Sequence, residues 1–473
     1  MSIPYADIAQ EELTAASATS PRSVISARMD RLPSTRYLWT IVVLISMGGW
    51  FEIYDLFFTG YIAPGLVRSR ILTETTTHLF GFSGVGAFVA ATFAGLFVGA
   101  FFLSFLSDRY GRRKVFTYSL LWYTAATVVM AFQTSAEGLL FWRFIAGIGV
   151  GVEIVTIDAY ITEIMPPHMR GRAFALNQAV MFSAVPVVAL LAWWLVPQDP
   201  LGFDGWRWVI LIGAAGAVVI WYIRRAVPES PRWLANHGRE HEAGLIVTMM
   251  ESRVAREYRQ PLPPVMPARV EPTVERAGLS ELFRAPYLSI FLMLVVFNFC
   301  QALGNYGFAN WVPTLLVAKG ITVTKSLLYS FVIAFAYPVA PLLAMSFADR
   351  IERKWVIVGA AFCFAVAGAV FSQATDTSTI LLCGVLLTAA NMTLSYAYHA
   401  YQTEVFPTRI RARAAGMSYA SSRVGAMVSG FLVAFALRDY GVTGAFALII
   451  GAMVIVMGSV GIFGPKVGGN THH

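Results

Sequence analysis

The sequence predicts an all-α membrane protein: twelve transmembrane helices in two six-helix bundles. Three observations carry that prediction. Hydrophobic residues make up 57% of the 473, charged residues only 13%, and mean hydropathy is +0.63, far above an ordinary soluble chain. Apolar runs of about 20 residues, long enough to cross a bilayer as helices, recur along the chain. A polar cassette in the first half returns in the second, displaced by 241 residues.

Taken in order, residues 1–37 are polar and contain Glu11, Glu12 and Asp30. They lack the apolar core of a signal peptide and are expected to form a cytoplasmic N-terminal segment. Six spans follow near 38–61, 81–106, 115–134, 138–160, 173–196 and 206–226, giving an N-terminal bundle over 38–226. The connection 227–285 is rich in Pro, Arg and Glu and reads as a cytoplasmic linker with one amphipathic helix near 238–257. The second bundle, 286–463, has spans near 286–312, 326–347, 355–374, 378–401, 412–436 and 443–463, and 464–473 is a short tail.

The net charge of +8 does not point to nucleic acid, because the basic residues sit beside span ends rather than in one run with interleaved aromatics. Arg22, Arg28, Arg31 and Arg36, both Asp-Arg cassettes, Arg170/Arg172, Arg224/Arg225 and Arg409/Arg411/Arg413 fall on one side. The positive-inside rule makes that side, and both termini, cytoplasmic. Cys300, Cys363 and Cys383 lie in apolar runs and predict no disulfide.

The cassettes define the repeat. Asp108-Arg109-Tyr110-Gly111-Arg112-Arg113-Lys114 answers Asp349-Arg350-Ile351-Glu352-Arg353-Lys354, and Glu163 with Arg170 answers Glu404 with Arg411. One register for all of them indicates duplication of about half the chain. Charges at a span end ordinarily just anchor it. Their recurrence predicts instead a latch, in which Asp108, Arg112, Arg113, Glu163, Arg170, Asp349, Arg353, Glu404 and Arg411 hold helix ends by charge-assisted hydrogen bonds that break during a transport cycle. Two related membrane halves with a site between them are the plan of a secondary transporter.

Residues 104–114 and 345–354 resemble the loop signature of the major facilitator superfamily, with Ser104 and Met345 in place of its first Gly and Glu352 in place of a later one. Arg143-Phe144-Ile145-Ala146-Gly147-Ile148-Gly149-Val150-Gly151 is similar to the superfamily's fourth-span signature. Pro228-Glu229-Ser230-Pro231-Arg232-Trp233-Leu234 resembles the element after span six in its sugar-porter and organic-ion branches. The resemblance covers nearly the whole chain and implies a two-bundle, alternating-access carrier. The chain departs from the sugar porters after span twelve, where it runs Phe463-Gly464-Pro465-Lys466, and its first outer loop, 62–80, is short and has no cysteine.

An ionisable side chain within a span costs at least a few kcal/mol and marks a candidate site. Glu52 and Asp55 share one face of span one, Arg143 enters span four, and Glu153 lies further along it. Resemblance to proton-coupled carriers implies Asp55 as the proton site with Arg143 as its partner. Glu52 is a competing carrier, Glu153 is a weaker, mid-span candidate, and a permanent ion pair between Asp55 and Arg143 is the structural alternative. Asp158 is a weaker candidate near a span end, with His399 at its register position.

Arg423 sits inside the apolar run 412–436. Either a carboxylate elsewhere neutralises it or an anionic substrate does. The segment Ser422-Arg423-Val424-Gly425 resembles span eleven of organic-anion carriers, which implies carboxylate binding. Asn298, Gln301 and Asn305 form one polar stripe on span seven that either orients a ring or bonds neighbouring helices. Tyr54 and Tyr306 offer aromatic walls.

The expectation is therefore proton-coupled uptake of a small, planar aromatic or heteroaromatic carboxylate such as nicotinate across a bacterial inner (plasma) membrane, by a monomer bathed in membrane lipid. The alternatives are a polyspecific organic-cation or drug exporter, a sugar porter of the same fold, or a non-transporting membrane sensor. Paired His ligands, a nucleotide-binding Gly loop and a Ser/His/Asp set are all missing from the sequence, so no metal, cofactor or enzymatic activity is expected.

Overall fold

The computed structural model describes residues 21–73, 77–79, 82–103, 105–223, 227–265, 279–285, 287–348, 351–406 and 408–465. Spans one to four are Arg36–Tyr61, Gly84–Phe102, Arg112–Ala131 and Ala136–Ile164. Span five is two collinear pieces, Pro167–Phe182 and Ala184–Leu195, and span six is Gly205–Ile223. Span seven is Tyr287–Ala309, span eight is Val323–Ala334 with Ala336–Ala348, and spans nine and ten are Arg353–Gln373 and Thr377–Glu404. The last helical run, Thr408–Gly458, is broken at Gly441, whose φ of 67° separates spans eleven and twelve. A short π-helix, Ser459–Phe463, ends span twelve.

Nine of these helical runs among the described residues are long and apolar enough to cross a membrane, with the last pair counted as one. Spans three and six complete the set of twelve. Span three opens on Arg112-Arg113-Lys114, which dilutes its apolar character. The one β feature among the described residues is an antiparallel ribbon, β1 (Thr77–Leu79) with β2 (Phe82–Ser83).

The repeat shows in the helix ends. Ser135 caps span four by accepting from the Gly138 amide. Asp376, displaced by the same 241 residues, caps span ten by accepting from the Thr379 amide at 2.8 Å. An N-cap oxygen satisfies one of the amides that a helix start leaves without an intrahelical partner.

Within a membrane, helices associate by close packing of small residues rather than by the hydrophobic effect. The fourth-span glycines do this. A Cβ at Gly151 would lie 2.3 Å from the Leu96 carbonyl oxygen, and one at Gly99 would lie 2.0 Å from that of Ile148. Spans two and four therefore touch backbone to backbone.

On the side carrying the cassettes, Pro21–Asp30, Pro231–Asn236 and Glu240–Tyr258 form a small helical layer. Its core is Ile25, Met29, Leu32, Trp233, Val247 and Met250, packed on the ends of spans one and four. Arg28 and Arg31 both donate to Glu251, at 2.6 and 2.7 Å. Arg232 pairs with Asp30. The amphipathic helix expected near 238–257 is Glu240–Tyr258.

Candidate functional site

The halves meet tightly at the end away from the cassettes. A Cβ at Gly60, in the last turn of span one, would lie 2.3 Å from the Asn310 carbonyl oxygen. Gly430 of span eleven also approaches Gly86 and Ala90 of span two, less tightly, its hypothetical Cβ 3.1 Å from backbone of each. Aromatic contacts continue the seal: Phe93 with Tyr306 at 4.6 Å, Phe57 with Tyr337 at 5.0 Å, and Phe182 stacked on Tyr337 at 5.9 Å. Towards the cassettes, Asp158 on span four and His399 on span ten are exposed to solvent.

Arg423 lies between these regions and is 6% exposed. Its guanidinium donates to the Tyr419 hydroxyl at 3.0 Å and lies 4.9 Å from the centre of the Tyr419 ring. Its side-chain hydrogen bond goes to a phenol hydroxyl, and two carboxylates of the other half, Glu52 and Asp158, act on it through space. A desolvated guanidinium so placed retains donor capacity for a planar anion, because two parallel N–H groups match two carboxylate oxygens.

Asp55 and Arg143 form a separate, sealed centre inside the first half. Arg143 is 0% exposed and Asp55 3%. Arg143 donates to Asp55 Oδ2 at 2.8 Å, to the Asp55 carbonyl at 2.8 Å, to Thr59 Oγ1 at 2.7 Å and to Thr92 Oγ1 at 2.8 Å. Thr127 donates to Asp55 Oδ1 at 3.2 Å. Phe58 and Phe88 cover the guanidinium at 4.6 and 5.8 Å. Asp55 also borders a narrow cavity lined by Tyr54, Tyr123, Thr124, Thr127 and Gly213, all of the first half. Glu52, three residues earlier, acts instead on Arg423 and Tyr306 of the other half. The two span-one carboxylates thus serve different surroundings.

The structure distributes the remaining candidates. Asn298 accepts from the Tyr398 hydroxyl and donates to the Leu294 carbonyl, and Asn305 accepts from Asn391 at 2.6 Å. Both amides join span seven to span ten; Gln301 is buried on the same stripe. Tyr54 donates to the Val209 carbonyl at 2.7 Å and packs on Gly213 of span six, away from the other half. Tyr306 faces Arg423. Glu153 is buried in span four.

The latch residues pair within each half. Arg112 binds Glu163 at 2.8 Å and Asp108 at 2.6 Å, and Arg353 binds Glu404 at 3.0 Å, the same pair one repeat later. Glu229 accepts from the amides of Arg112 and Arg113 at 3.1 and 3.2 Å, just after the positive-φ Gly111. Arg170 donates to the Met165 carbonyl at 3.2 Å, where span four ends. Tyr160 donates to the Pro228 carbonyl, and its repeat mate Tyr401 donates to that of Pro465 at 2.9 Å. Asp349 and the Arg411 side chain lie outside the described residues.

A family profile described as sugar (and other) transporter matches residues 41–473. The chain belongs to this family of the major facilitator superfamily. Among its relatives is the niacin transporter NiaP of Acinetobacter baylyi, 28% identical over 448 residues and covering 94% of this chain and 98% of that protein. Another is the inner membrane metabolite transport protein YdjE of Escherichia coli, 29% identical over 452 residues, covering 93% and 95%. Among solved structures, the partially occluded inward-open xylose transporter XylE of E. coli superposes with a TM-score of 0.73 at 19% identity, over 92% of this chain and 100% of that one. The chain is therefore a multi-pass secondary transporter of the major facilitator fold, and not an enzyme.

Several site residues had weak sequence signals. Thr59 and Tyr419 stand one helical turn from Asp55 and Arg423, a spacing that brings side chains together. Thr92 and Thr127 come from other spans, and nothing local in the sequence marks them.

Proposed function

We propose that the protein takes up a small, planar aromatic or heteroaromatic carboxylate, of which nicotinate is an example, together with protons across a bacterial inner membrane. The observation that carries this reading is the Arg423 guanidinium, nearly buried beside the junction of the halves and hydrogen-bonded to the Tyr419 hydroxyl. The carboxylate would meet this guanidinium, with Tyr419 and Tyr306 beside its ring. The niacin transporter among the relatives supports the substrate class.

Asp55 is the proposed proton site. Desolvation disfavours its charged form while Arg143 favours it, so movement that loosens the pair exchanges a proton. Rocking of the halves opens the Arg423 site to each side in turn, and the cassettes are assigned to the cytoplasmic side.

The test is uptake of labelled nicotinate into proteoliposomes under an imposed inward proton gradient. The reading requires gradient-driven accumulation that Arg423→Lys abolishes or reduces at least about tenfold, since loss of a charge-assisted hydrogen bond costs about 1.5–3 kcal/mol. Equal uptake by the variant, or accumulation of a sugar and not of the acid, would overturn it.

A further inference from the structure

The narrow cavity beside Asp55 lies between spans one, three and six and leaves about 10 Å³ for the centre of a water molecule, enough for one. It sits on one side of the ion pair. Asp55 and Thr127 line it, and Thr127 donates to Asp55 Oδ1 at 3.2 Å, whereas Arg143 holds Oδ2 at 2.8 Å and is not part of its wall. Among the described residues, its lining comes wholly from the first half. The cavity is therefore separate from the surroundings of Arg423.

Its wall carries an unused hydroxyl. Thr124 stands three residues before Thr127, on the same face of span three, and is only 9% exposed. Its Oγ1 is buried and has no hydrogen-bond partner among the described residues. Other buried hydroxyls of these spans turn back onto the carbonyl four residues earlier: Ser119 onto Val115 at 2.8 Å, Thr92 onto Phe88 at 3.0 Å and Ser46 onto Val42 at 2.7 Å. Thr124 does not, and buried polar atoms are normally satisfied. A cavity of this size with polar walls takes up water, whereas an apolar one stays dry. The second half offers a comparison. Displaced by 241 residues from Thr124, Thr127 and Arg143 stand Ala365, Gly368 and Gly384. Packing of the repeated bundle thus needs neither hydroxyl; both go with the Asp55 centre.

We infer that this cavity holds a water bridging Asp55 Oδ1 and the Thr124 hydroxyl, and that protons reach and leave Asp55 through that water, inside the first half and apart from the substrate site. The inference rests on the reading of Asp55 as the proton site. A proton arriving at the water as hydronium passes to Oδ1: one hydronium O–H bond breaks, the carboxyl O–H bond forms, and a neutral water stays in place. Asp55 is then uncharged, and Arg143 has lost its counter-ion, which loosens the pair. Thr124 is a positioning residue, holding the water. The other charged or titratable groups beside Asp55 are Arg143 from span four, Tyr54 from span one and Tyr123 from span three. The hydroxyl of Tyr54 is already given to the Val209 carbonyl. The span-six wall, Ile210, Gly213 and Ala214, supplies no such group.

The test is infrared difference spectroscopy of the full chain in lipid vesicles between acid and alkaline pH, recorded in ordinary and in oxygen-18 water. The parent should show a carboxyl C=O band that Asp55→Asn removes, and a water O–H band that shifts with the heavy oxygen. Thr124→Val keeps the side-chain shape and deletes the hydroxyl; it should lose the water band and slow proton-driven nicotinate uptake several-fold. Thr124→Ser should restore both. A parent without an isotope-sensitive water band, or a band that persists in Thr124→Val, would overturn the water site, and the parent spectrum decides this even where the valine variant does not fold. The spectra need no substrate, so failure of the nicotinate reading leaves both bands in place. A water band without the Asp55 carboxyl band would overturn the proton-site reading, and with it the proton step, while still reporting the bound water.

Discussion

At the scale of single residues, two arginines buried in the membrane have opposite surroundings. Arg143 has four hydrogen bonds, one of them to the Asp55 carboxylate, whereas Arg423 is hydrogen-bonded to the Tyr419 phenol. Removing one member of a buried ion pair leaves the other charge uncompensated and costs about 3–5 kcal/mol. Arg143→Leu and Asp55→Asn should therefore each lower the thermal midpoint, the second by leaving the buried Arg143 charge without its counter-ion. Asp55→Asn should also abolish uptake driven by a proton gradient while leaving nicotinate exchange across a gradient-free membrane intact. Loss of both activities together would contradict the assignment of Asp55 to the proton. The four ionisable residues of these two centres, Asp55, Arg143, Glu52 and Arg423, were legible because a charge inside an apolar run is conspicuous. Their division was not: the shared face of Glu52 and Asp55 follows from helical spacing, but which turns towards Arg423 depends on how span one sits against spans three, six and seven. The hydrogen bonds of Asn298 and Asn305 to span ten likewise belong to tertiary packing.

At the scale of elements, glycine sets how closely helices approach. A Cβ at Gly151 meets the span-two backbone at Leu96 and Ala100, which cannot yield like a flexible side chain. Gly151→Val should separate spans two and four and cost on the order of 1–3 kcal/mol or more, by the overpacking scale, measured as a drop in thermal midpoint. Gly60 has another consequence because its neighbour, Asn310, belongs to the other half. Gly60→Val should wedge the halves apart at that end and speed modification of a cysteine introduced beside Tyr306, with little change in secondary structure. An unchanged modification rate would mean that the contact does not hold that end closed. The span ends were readable from apolar runs, cassettes and caps. The breaks at Ser183 and Phe335 do not show in the apolar runs; each falls three residues before a proline, Pro186 and Pro338, which withholds an amide from the preceding turn, and where spans five and eight bring Phe182 and Tyr337 into stacking.

At the scale of the whole molecule, the duplication is expressed as paired interactions: Arg112–Glu163 with Arg353–Glu404, Tyr160–Pro228 with Tyr401–Pro465, and the caps Ser135 and Asp376. The register in the sequence matched Arg112 with Arg353 and Glu163 with Glu404, although it could not show that each pair closes within its own half; the caps and the Pro228 and Pro465 acceptors came from the structure. The cassette-side helical layer adds a pH dependence. Burial raises the Glu251 carboxyl, but hydrogen bonds and charge from Arg28 and Arg31 outweigh it, and the net direction is below the ordinary value of 4.5. A depressed carboxylate contributes stability above its unfolded pKa and loses it as pH falls through the folded one. Docking of Pro21–Asp30 on Glu240–Tyr258 should therefore hold at neutral pH and weaken below about pH 4.5, seen as faster amide exchange in Pro21–Asp30; Glu251→Gln should show that faster exchange already at pH 7. The central claim, that a buried guanidinium selects a planar carboxylate, concerns the folded protein as one unit. It is tested most directly by thermal unfolding of the purified protein with nicotinate, benzoate, nicotinamide, a sugar and a quaternary ammonium, because a ligand of the folded state raises its apparent stability. The account predicts an upward shift with nicotinate or benzoate, none with uncharged nicotinamide, and loss of the shift in Arg423→Lys. A shift with the sugar or the cation alone would contradict it.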